Sequence, residues 1–167
     1  MIAKSTMAQL LAAFLLMKAD GCNAEVRIVN DPGGRIGDYV ARYERLRATG
    51  DAIVIDGYCA SACTIVLGII PPDKICVTSR AELLFHAAYN PAPHGRRRTN
   101  REATDRLYSL YPIEVQRWIN QRGGLTRRGT LLSGASLAAM YPRCSGDEGQ
   151  RAITAHLPRV TRQFVEH

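Results

Sequence analysis

The sequence has no apolar run long enough to cross a bilayer comfortably. The longest, residues 7–17, is 11 residues with one polar member, Gln9, against about 20 for a spanning helix. No internal repeat is visible, which excludes a solenoid or propeller. The dinucleotide fingerprint G-x-G-x-x-G is missing, since Gly33, Gly34 and Gly37 do not supply that spacing. No close C-x-x-C pair is present, so a zinc site built from the cysteines is not expected. The basic stretch carries no nucleic-acid recognition motif, and nucleic acid is not an expected partner.

What is present fits one globular domain: 167 residues, 46% apolar and 22% charged. Residues 1–24 stand apart. A basic start with Lys4, the apolar run 7–17 and the small-polar-small triplet Cys22-Asn23-Ala24 read as a secretory signal peptide cleaved after Ala24. The expected location is therefore periplasmic or secreted, with no stable membrane anchor. Removing the leader takes the net charge from +7 to +6. It leaves four cysteines, Cys59, Cys63, Cys76 and Cys144, an even number that suits two disulfides in an oxidising compartment. Cys59 and Cys63 would lie about one helical turn apart, a poor geometry for bridging each other. Each is expected to pair with Cys76 or Cys144. Positive charge concentrates in residues 90–130, which hold nine arginines against Glu102, Asp105 and Glu114. A solvated face is the default reading, and an acidic surface or ligand the second.

In chain order, residues 25–29 read as a strand, 30–34 as a tight Asn-Asp-Pro-Gly-Gly loop and 35–49 as a helix. Ile36, Val40, Tyr43 and Leu46 mark its buried face. A strand at 52–55 completes a βαβ unit, hence parallel pairing. Asp56-Gly57 is a turn signal. Cys59-Ala60-Ser61-Ala62-Cys63 then precedes an apolar run to Ile70. Ser61 either caps that helix or stands on a sharp elbow that exposes its hydroxyl. Strands are expected at 74–78 and 81–89, the latter containing His86. A loop follows at 90–100. A helical pattern at 102–122 is interrupted at Pro112, with Leu107, Tyr111, Val115, Trp118 and Ile119 on its buried face. A short helix at 135–140 follows Leu131-Leu132-Ser133-Gly134. Residues 145–167 read as a tail.

Three separated motifs resemble Clp-type proteolytic subunits. Val29-Asn-Asp-Pro-Gly-Gly34 resembles their Pro-Gly-Gly loop, Tyr58-Cys-Ala-Ser-Ala-Cys63 their nucleophile elbow, and Leu84-Phe-His-Ala87 the strand carrying their histidine. The interval of 25 residues from Ser61 to His86 is similar to that family's, and Leu131-Leu-Ser-Gly-Ala-Ser-Leu-Ala138 resembles a later family segment. Among ClpP/crotonase-like proteins, the likeness is to exported bacterial ones that share the cys-ala-ser-ala-cys stretch. The resemblance spans residues 25–144. It implies an α/β fold of βαβ units with a mostly parallel sheet, trimmed at its start, and self-assembly into rings or trimers. It also implies a serine hydrolase, a peptidase acting on peptide or protein and needing no cofactor. Ser61 would be the nucleophile and His86 its general base, with Gly33, Gly34 and Ala62 N–H groups as the oxyanion hole. The chain departs from the family at the third catalytic position, where an acid is expected and Gly129 stands. That departure raises the alternative of a non-catalytic module binding a peptide or protein in the same cleft.

Overall fold

A computed structural model of the chain describes residues 24–145. The expected leader and nearly all of the expected tail lie outside the described residues. The described part is a mixed α/β fold around a mostly parallel sheet.

Strand β1 (Glu25–Asp31) feeds helix α1 (Ile36–Thr49), which returns the chain to β2 (Ala52–Ala60), parallel to β1. Helix α1 buries Tyr43 completely and rests Ile36, Val40 and Leu46 against the core, as the 3.6-residue period predicts. It stops at Gly50, whose φ of 74° supplies the left-handed C-terminal turn. Strand β2 is the centre of the sheet, with Ile53, Val54 and Ile55 all buried, the mark of a strand covered on both faces. Its first half pairs in parallel with β3 (Ile75–Val77) and its last residues with β4 (Glu82–Phe85). Strand β7 (Thr130–Ser133) closes the sheet antiparallel to β4 and leads into α5 (Gly134–Ala138).

Strand β2 does not end at Asp56-Gly57, where the sequence signals a turn. It runs through to Ala60. Gly57 serves close approach instead: a β-carbon there would lie 2.1 Å from the Val29 carbonyl oxygen, where β1 shifts register between Ile28 and Asn30. Asp56 is buried within the strand. Its carboxylate accepts from Thr78 Oγ1 at 2.8 Å, Arg80 at 2.6 Å and Arg27 at 2.9 Å. Burial works against its charge, but these hydrogen bonds win and hold its pKa below the ordinary carboxylate value.

Beyond Ser61–Ile65, a 3-10 turn, the chain forms the short α2 (Val66–Ile69) and stops at Pro71. The expected strand at 81–89 ends at Phe85, leaving His86 just past its end. The expected loop at 90–100 contains a small antiparallel ribbon, β5 (Tyr89–Pro91) with β6 (Arg97–Thr99). Pro112 splits the following helical pattern into α3 (Arg101–Ser109) and α4 (Ile113–Asn120). Leu107, Tyr111, Val115, Trp118 and Ile119 are all buried, with Phe85 packed edge-on against Tyr111 at 5.2 Å between ring centres.

The disulfides join Cys59 to Cys63 and Cys76 to Cys144, which corrects the expected pairing. The expectation took Cys59 and Cys63 to be a helical turn apart. In fact Cys59 lies in β2, one residue before its end at Ala60, and the reversal at Ser61 brings the two Cα atoms to 5.4 Å. Two disulfides are consistent with an oxidising, extracellular setting. Among the described residues, no helix is long and apolar enough to cross a membrane.

Candidate active site

Ser61 is one of two non-glycine residues with positive φ among the described residues, at 56°. A left-handed conformation costs an L-residue about 1–2 kcal/mol, so the surroundings must enforce it. They do. Ser61 carbonyl accepts from Thr64 Oγ1 at 2.6 Å, and Thr64 is itself hydrogen-bonded to the buried Tyr111 hydroxyl at 2.7 Å. Tyr43 reaches from α1 to donate to Cys63 carbonyl at 2.9 Å. The Cys59–Cys63 bridge ties the two arms of the turn together. The helix has no side-chain cap. Ser61 is therefore a half-exposed residue on a braced elbow, and the capping reading is set aside.

Gly33 packs directly under that elbow. At φ 80°, a β-carbon on it would lie 2.3 Å from Ala60 carbonyl oxygen and 2.9 Å from Ala62 N. Only glycine combines that approach with that dihedral. Its N–H donates to Asp31 Oδ1 at 2.9 Å, and Tyr39 Oη donates to the same oxygen. Burial and then the Asp31 carboxylate push the Tyr39 hydroxyl up to about 12. Gly33 N–H is thus committed, which removes it from the expected set of oxyanion donors. Gly34 N–H has no acceptor among the described residues. Ala62 stands in the first turn of its helix, where N–H groups have no intrahelical acceptor.

His86 leaves the end of β4 and is fixed from both sides of the next two residues. Ala87 N–H donates to Thr126 carbonyl at 2.9 Å, and Ala88 N–H to Thr104 Oγ1 at 3.0 Å. Its Nδ1 lies 2.9 Å from Ala87 carbonyl oxygen. A carbonyl can only accept, so Nδ1 carries the proton and neutral His86 presents an unprotonated Nε2. The Tyr89 ring stacks on the imidazole, 5.9 Å between centres.

Ser61, His86, Gly33 and Gly34 line one cleft of about 640 Å³, together with Pro32, Tyr89 and Leu107. No hydrogen bond joins Ser61 to His86 among the described residues. Catalytic hydrogen bonds are often long in unliganded enzymes and tighten with substrate. Gly129 lies beside the histidine: a β-carbon there would stand 3.4 Å from His86 Cβ. Neither Asp56 nor Asp105 supplies a carboxylate to His86: Asp56 is committed to Thr78, Arg27 and Arg80, and Asp105 is exposed on α3 with no bond to the histidine.

Three groups that touch these residues are not announced by the sequence reading. Asp31 is one, although an Asp two residues before a glycine in a turn is a signal for a side chain bonding back to the chain. Tyr89 stands in the sequence only as the end of an expected strand, whereas its ring lies against His86 and lines the cleft. The Ala87 carbonyl has no sequence signal, because every residue carries one. Among the described residues, no cluster of His, Cys, Asp and Glu could hold a metal. Comparison with protein-family models finds no match, and comparison with curated proteins finds none either.

Proposed function

We propose that the protein is an exported serine hydrolase of ClpP/crotonase-like type, acting as a peptidase through Ser61 and His86. The observation that carries this reading is the left-handed Ser61, braced on an elbow over Gly33 and opening into the cleft that His86 lines. Strain of this kind persists where the surroundings impose it, and it collects at sites of chemistry.

In this mechanism Ser61 Oγ attacks the scissile carbonyl and His86 Nε2 takes its proton. The oxyanion receives hydrogen bonds from Gly34 and Ala62 N–H groups, each such donor being worth about 2.7–4 kcal/mol in a serine hydrolase. Nε2 then protonates the leaving amine, and water reverses the sequence to release the acid. Ala87 carbonyl does part of the work of the missing acid. It holds the tautomer and ring orientation, but it supplies no full charge to the imidazolium, so turnover is slower than with a carboxylate.

A second reading, a peptide-binding module without catalysis, is favoured by one observation: His86 has a carbonyl where a carboxylate would stand. A fluorophosphonate probe separates the two. Labelling at neutral or alkaline pH that disappears in Ser61→Ala is the expected result. Absence of Ser61-dependent labelling leaves the binding module.

A further inference from the structure

The cleft continues past His86 into a flank of one charge sign. Pro32, Gly33, His86 and Tyr89 line both the Ser61 cleft and an adjoining hollow of about 640 Å³, whose far wall is Arg97, Arg127 and Arg128. Arg97 and Arg127 also line the next hollow along the surface, with Arg96 and Arg98. No aspartate or glutamate lines any of these three spaces. Arg97, Arg127 and Arg128 are exposed, and none has a carboxylate partner among the described residues.

Two different elements converge to make this wall. The ribbon brings Arg97 opposite Pro91, and the segment before β7 brings Arg127 and Arg128. Arg97 is oriented: its guanidinium carbon sits 4.4 Å from the Tyr89 ring centre, and Tyr89 in turn stacks on His86. A guanidinium resting on a ring is steadied while its N–H fork stays free for a carboxylate.

We propose that this wall is an anionic subsite, so that the substrate of the Ser61–His86 site is an acidic peptide with carboxylate side chains close to the scissile bond. The proposal rests on the hydrolase reading for its chemistry but not for its binding. Peptide is favoured over single-stranded nucleic acid, because the Tyr89 ring is already occupied by His86 and Arg97 and the one other ring lining the hollow is the half-buried Tyr58, short of the row of rings on which successive bases stack.

The test is binding to protein carrying Ser61→Ala, read by fluorescence anisotropy at low salt. The probe is a labelled glutamate-rich peptide, paired with its glutamine counterpart. The acidic peptide should bind about tenfold tighter, a preference that declines as salt is raised. Arg127→Gln with Arg128→Gln should bring the two peptides within about twofold. Arg45→Gln with Arg117→Gln, which removes the same charge at exposed positions that line none of the three spaces, should leave the preference intact. Equal binding of the two peptides overturns the proposal, as does an equal loss in this control variant, which would reduce the effect to net charge. An oligonucleotide of matched charge that binds tighter and depends on Arg127 and Arg128 would also overturn it. Charge preference without probe labelling of wild-type Ser61 sinks only the hydrolase chemistry. Labelling without charge preference sinks only the subsite.

Discussion

At the scale of single residues, Gly33 and Ser61 divide one task. Ser61 accepts an unfavourable dihedral where it lines the cleft, and Gly33 gives up a side chain so that the Pro-Gly-Gly loop can lie under it. Gly33→Ala should therefore destabilise the protein by about 2 kcal/mol or more, from the positive φ together with the clash against Ala60, and should abolish Ser61 labelling. Gly124→Ala is the control. Its φ of 81° matches, but a β-carbon there meets nothing, so it should cost only about 1 kcal/mol and leave labelling unchanged. Urea unfolding and probe labelling together check this. Equal effects of the two variants would mean that dihedral strain alone, not the fit under the elbow, makes Gly33 necessary. The serine, the histidine and the glycine pair were legible as residue types in order. The main-chain bonds were less so: Gly33 N–H goes to Asp31, a partner two residues away, and the His86 ring is held by a main-chain carbonyl that no residue type announces.

At the scale of elements, long amphipathic helices were readable and short exposed pieces were not. Helix α1 and the α3–α4 pair show their buried faces in the spacing of Tyr43, Leu107, Val115 and Ile119. The ribbon at 89–99 has strands of three exposed residues each, so no apolar alternation reveals it. Cys59 and Cys63 misled because residue spacing was converted to distance along a helix, whereas a strand and a helix meet at Ser61. The two bridges now predict different losses. Cys76–Cys144 spans a separation of 68 residues and Cys59–Cys63 a separation of 4. Limits on the unfolded chain then make them worth about 4 and about 2 kcal/mol respectively. Removing the long bridge with paired Cys→Ser changes should lower unfolding free energy more. Removing the short one with paired Cys→Ala changes should slow Ser61 labelling more, because it braces the elbow. A short-bridge variant that labels at the wild-type rate would show that Thr64, Tyr111 and Tyr43 hold the elbow by themselves.

Across the whole molecule, β2 joins stability to the site. One part of the strand carries Asp56, which gathers Arg27 from β1 and Thr78 and Arg80 from beyond β3. The other end carries the elbow. Because the folded pKa of Asp56 lies below its unfolded value of about 3.9, its contribution is present above that value and is lost as pH falls through the lower, folded one. Unfolding midpoints followed from pH 6 down to pH 2 should fall in the acid limb, and Asp56→Asn should lower stability at pH 6 while flattening that limb. An unchanged acid limb in the variant would assign it to other carboxylates. The central claim concerns the other end of the strand, that His86 activates Ser61. It is tested most directly by the second-order rate of fluorophosphonate reaction, with the adduct mapped to the Ser61 peptide by mass spectrometry, in wild type and in His86→Ala. General-base activation predicts a Ser61 adduct whose rate falls by about 10²–10⁴ in the variant, with melting temperature unchanged. A wild-type protein with no Ser61 adduct, or a His86→Ala variant that reacts as fast as wild type, would contradict it.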